Sequence, residues 1–264
     1  MRVRLLVFAI LLTSILFLAP QSVFALDYNQ SRLDYQTQYN DYRNRLIEYR
    51  SARSEYITYK TLVSQTRAIY VTQQFLNSRQ NVMINYLNML LARIDAAKGP
   101  YLSTSQADTI KQQIDLQLDL LDKQIPQIEA TSTIEDITKI STLIEKNIST
   151  INAIGLQTQA LILDSRMQEY QVTTVNLLAF TTEQVRRITK EGKKDTTDID
   201  RWLLDAEQKY QLALQGFNES QLLISKIRND GQYENYRTSL KKSRQYLKET
   251  NARLSEIVIN LKIE

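Results

Sequence analysis

Between Asp27 and Tyr56 an acid followed by a tyrosine recurs every seven residues, at Asp27-Tyr28, Asp34-Tyr35, Asp41-Tyr42, Glu48-Tyr49 and Glu55-Tyr56. Residues seven apart return to one face of a helix. Tyrosine joins a large apolar body to a polar tip, and such side chains are enriched where proteins meet. Tyr28/Arg32, Tyr39/Arg43, Tyr49/Arg53 and Tyr56/Lys60 also have the i,i+4 spacing for cation–π contact within a helix. The candidate partner-binding residues are therefore Tyr28, Tyr35, Tyr39, Tyr42, Tyr49, Tyr56 and Tyr59. Three uses compete for this ladder. It is a packing face within the chain, a seam for self-association or a protein partner, or an aromatic platform for an envelope glycan.

The acids of the ladder stand one heptad apart, about 10 Å, which is too wide for one ion to bridge. Asp115, Asp119 and Asp122 share a helix face and offer oxygen ligands, but no loop carbonyls accompany them, so they read as a solvated acidic face. Residues 105–165 are net acidic and residues 226–264 net basic. These two regions face each other, attract different partners, or reflect ordinary surface variation.

The chain has no Cys and no His. That excludes Ser-His-Asp and Cys-His catalysis, zinc sites with nitrogen or sulfur ligands, histidine switches and disulfides. No glycine-rich phosphate loop or nucleophile elbow occurs either. The expectation is a non-enzymatic chain without cofactor or metal.

The elements that carry these residues are helices. Gly 5 and Pro 3 in 264 residues leave few turns. The pattern predicts a first helix running unbroken over 27–98, with Tyr28 to Tyr56 continued by Val63 and Tyr70. Beside that column, Leu62, Ile69, Leu76, Met83 and Leu90 form an aliphatic stripe. Further helices are predicted over 104–129, 133–190, 197–228 and 232–262. Gly155 marks a hinge or a close approach in the third, and Gly231 a left-handed turn before the last. Leu240, Leu247, Leu254 and Leu261 recur every seven residues, as a bundle core or a dimerising zipper.

The N-terminus follows the layout of a secretory signal peptide. Arg2 and Arg4 precede an apolar run from Leu5 to Ala19, then Pro20 and the small-residue positions of Val23-Phe24-Ala25. Cleavage is expected after Ala25, with an uncleaved membrane anchor as the alternative. Without Arg2 and Arg4 the formal net charge falls from +4 to +2, so nucleic acid is not an expected partner.

The fold class expected is all-α, as an elongated antiparallel helical bundle. Helix lengths suggest two tandem three-helix bundles sharing a long helix, a spectrin-like geometry. A single four- or five-helix bundle is the alternative. The segments are a signal peptide (1–25), a Tyr-rich helical extension (26–61), a first bundle (62–158) and a second bundle (159–264). In the tandem geometry the extension has no partner helix in its own chain. The expected function is binding or scaffolding in the cell envelope or outside the cell, through self-association or docking. An extracytoplasmic holdase and a helical pore-forming protein are the alternatives.

Overall fold

The computed structural model describes residues 27–192 and 197–262; the signal-peptide segment lies outside them. The described residues form six helices and no strands: α1 (Tyr28–Tyr59), α2 (Leu62–Ala96), α3 (Thr104–Glu129), α4 (Ile134–Glu191), α5 (Thr197–Ile224) and α6 (Asp230–Lys262). The chain is an all-α helical bundle, as expected.

The first helix is not continuous. Lys60 adopts a left-handed conformation, φ 50°, and its amide donates to the Tyr56 carbonyl. Thr61 then caps α2. Its hydroxyl accepts from the Ser64 amide at 3.2 Å, and the Ser64 hydroxyl accepts from the Thr61 amide at 3.0 Å. This reciprocal pair satisfies donors that a helix start leaves orphaned. A left-handed lysine costs about 1 kcal/mol, so turn chemistry alone does not force the break. Burial along the hairpin that the break creates offsets the cost.

In that hairpin α1 lies antiparallel along α2. Two α1 residues are fully buried, Ser31 and Ala52, and both are small enough to let backbones approach closely. Arg67 of α2 reaches Glu55 of α1 at 2.9 Å. The Tyr-rich helix therefore has an intrachain partner, contrary to the expectation that it lacks one. Val63 and Tyr70, expected to extend the tyrosine column, are exposed, as is Leu62 at the head of the aliphatic stripe. Ile69 is half-buried, and Leu76, Met83 and Leu90 of that stripe are core.

The other face of α2 packs on α3 and α4. Leu87, Ile94, Ile114, Leu121 and Ile144 fill this first core. A polar layer crosses it. Gln124 Oε1 accepts from Gln80 Nε2 at 2.7 Å and from Asn147 Nδ2 at 2.9 Å, tying three helices at one level. The layer specifies register, because a slip would strand the Gln80 and Asn147 amide donors, although Gln80 Oε1 and Gln124 Nε2 are buried without a partner among the described residues.

Helix α4 has 58 residues, about 87 Å, and runs on through Gly155. Gly155 is a close approach within this helix, not an interruption of it. The C-terminal half of α4 packs on α5 and α6, while helices α1 to α3 share no packed face with those two. Ala206, Ala213 and Ser220 recur every seven residues as the buried small residues of α5. Ser243 and Thr250 are buried on α6, and the Ser243 hydroxyl donates to the Ala213 carbonyl. Leu240, Leu247 and Leu254 are buried inside the chain, as a bundle core. Gly231 is not left-handed; it sits in the first turn of α6.

Candidate interaction surfaces

The tyrosine ladder divides between two environments. Tyr28, Tyr35, Tyr42 and Tyr49 pack half-buried against the first core. Tyr35 meets Tyr86 with ring centroids 5.5 Å apart, and Tyr42 meets Phe75 at the same distance. Tyr49 stacks on Phe75 at 4.8 Å and 11°. Burial raises the pKa of the Tyr35 and Tyr86 phenols. Tyr39 and Tyr59 face outward, and Tyr56 lies half-buried at the turn. Among the described residues the cation–π contact is Arg237 over Tyr233 at 6.0 Å, not one of the i,i+4 pairs of α1. Asp41 and Arg45, also four residues apart on α1, form an ion pair at 3.8 Å.

The end of the α1–α2 hairpin stands clear of the bundle. Gln73 donates to the Thr131 carbonyl at 2.7 Å, at the turn between α3 and α4. Thr61 lies twelve residues before Gln73 in the chain, about 18 Å along the helix, so the hairpin forms an arm beyond that turn. Large apolar residues are exposed on it: Ile57 53%, Tyr59 68%, Leu62 77%, Val63 78% and Tyr70 61%. Single exposed apolar residues are ordinary, whereas five on one protruding end make this arm a candidate interaction surface.

A second surface lies between α4 and α6. Its floor is apolar, with Leu163, Met167, Tyr170 and Leu240. Arg166, Arg237, Lys241, Arg244 and Lys248 line it. Arg237 is held by Glu234 at 2.7 Å. The other four cations have no carboxylate within salt-bridge reach among the described residues. At one end Arg93 of α2 comes beside Tyr233 and Arg237. Net positive charge over 226–264 was the one sign of this groove in the sequence. Its pairing with Arg166, some 70 residues earlier, required the structure.

No family model matches the sequence, and no curated protein or solved structure matches it either.

Asp115, Asp119 and Asp122 lie exposed along α3, and Asp119 pairs with Lys123. No group of three His, Cys, Asp or Glu side chains converges on a common point among the described residues. The most perturbed carboxylate is Asp164, 3% exposed between α4 and α5. Burial pushes its pKa up to about 6, while a hydrogen bond from Gln221 at 3.0 Å opposes the shift. Asp164 is not among the residues that line the basic groove, so its burial belongs to the helix interface. None of the described helices is long and apolar enough to cross a membrane.

Proposed function

We propose that this chain is an exported, non-enzymatic helical binding protein that engages another protein through the α1–α2 arm. The observation that carries the reading is the arm's exposed apolar end, Ile57, Tyr59, Leu62 and Val63, beyond the end of the bundle. The signal-peptide layout of the N-terminus supports export, and the lack of Cys and His supports a role in binding. Docking moves from the tyrosine ladder to the arm end, because four of the seven candidate tyrosines are occupied against α2.

The protruding arm also favours one alternative, an extracytoplasmic holdase. Apolar groups on rigid arms can hold extended, non-native chains without folding around them. The two readings share a surface and differ in what occupies it.

A photo-crosslinking residue at Val63 tests the arm. Adducts to one discrete protein at position 63, absent from a control at Thr142, support docking on a defined partner. A smear of adducts, with suppressed aggregation of an unfolded model protein, supports the holdase. No difference between position 63 and the control would falsify both.

A further inference from the structure

We infer that the basic groove between α4 and α6 receives α3 of a second copy of this chain, so that the protein assembles head to tail. The groove has an apolar floor and cations along its rim, the form that accepts the amphipathic face of an acidic helix. This chain carries such a face. On the outside of α3, Leu116 is 69% exposed and Leu120 37% exposed, flanked by Asp115, Asp119 and Asp122. Asp115 and Asp122 have no basic side chain within salt-bridge reach among the described residues.

Spacing and length agree. Arg237, Lys241 and Arg244 follow one another at four and then three residues, as do Asp115, Asp119 and Asp122. Lys248, Arg244 and Lys241 repeat that order when α6 is read backwards, so either helix direction brings acids to cations. The rim residues from Glu234 to Lys248 and the acidic face from Asp108 to Asp122 each cover about 21 Å of helix.

The chain's own α3 does not fill the groove. It packs on α2 and α4 and shares no packed face with α6. Groove and acidic face are different surfaces, so each copy offers both and the contact is heterologous. Repetition of a heterologous contact builds a ring or an open filament. Exposed charges of opposite sign make such a contact dependent on salt, and like charges placed across it oppose it. The interface is separate from the arm, and arm variants leave it intact.

Sedimentation of the purified protein tests this. The expected result is concentration-dependent association, weakened at least about tenfold between 0.05 M and 1 M salt. Lys241→Glu with Arg244→Glu should be monomeric, as should Asp115→Lys with Asp122→Lys. All four positions are exposed and form no ion pair among the described residues, so both variants should melt as the parent does. Mixed together they should co-assemble, because one retains the acidic face and the other the groove, and their two reversed surfaces are complementary in turn. A parent protein that stays monomeric at low salt overturns the proposal, and so does a mixture that does not associate. Binding of phosphatidylglycerol vesicles by the same cations, without self-association, overturns it in favour of an anionic lipid.

Discussion

The hydroxyl end of Tyr86 on α2 abuts Gly155 of α4. A methyl group built on Gly155 would overlap the Tyr86 hydroxyl and come within 3.0 Å of its Cζ. Tyr86 meets Tyr35 on its other side, so one contact ties the tyrosine ladder, the second helix and the long helix together.

Gly155→Ala is therefore expected to destabilise the fold by about 1–3 kcal/mol, the cost of overpacking a filled site. Tyr86→Phe in that background removes the overlapping oxygen and should recover part of the loss. Denaturant unfolding of the two single variants and the double variant measures the coupling between the sites. Strictly additive effects would show that the two residues do not meet.

The ladder should respond unevenly. Tyr49→Ala removes a ring stacked on Phe75 and is expected to cost about 2 kcal/mol, less than a fully buried aromatic. Tyr59→Ala, at an exposed site, should stay within about 0.5 kcal/mol of the parent. Equal effects in thermal melts would contradict the packing described here. Removing residues 27–60 should lower the melting temperature, since it uncovers the face of α2 that carries Phe75.

Lys60→Gly tests the hairpin turn. Glycine enters the left-handed region without the penalty of a Cβ, so the variant should be more stable by about 1 kcal/mol. Thr61→Ala removes the N-cap of α2 and should cost about 1 kcal/mol. A destabilised Lys60→Gly would mean that the lysine side chain contributes more than its backbone costs.

Asp164 should make stability depend on pH. Its pKa lies near 6 in the folded chain against 3.8 unfolded, so the unfolded state releases this proton first. The contribution is fully present below about pH 4 and is lost as pH rises through 6. From the two values it amounts to about 3 kcal/mol. Asp164→Asn should remove this increment, so that variant and parent differ most above pH 7. Parallel stability curves for the two proteins between pH 4 and 7 would rule the shift out.

Much of the fold is legible in the sequence because helical periodicity is local. Leu76, Met83 and Leu90 recur every seven residues, as do Leu240, Leu247 and Leu254, and both sets are buried. Few glycines and prolines imply few turns, and four of the expected helices match α3 to α6 closely. Ser103 caps α3, its hydroxyl accepting from the Gln106 amide, and Thr133 caps α4.

The surfaces were less legible, because they join residues far apart in the chain. Arg166 and Lys241 line one groove only because α4 and α6 run alongside each other, as the Tyr236 hydroxyl donating to the Ala160 carbonyl at 2.8 Å shows. No pattern within either helix reveals that neighbour. The sequence by itself determined that the chain is helical and that histidine and cysteine chemistry is absent. Only the tertiary structure decided where the first helix breaks. A left-handed Lys60 is locally unfavourable, and it persists because folding α1 back buries tyrosines that a continuous rod would leave in water.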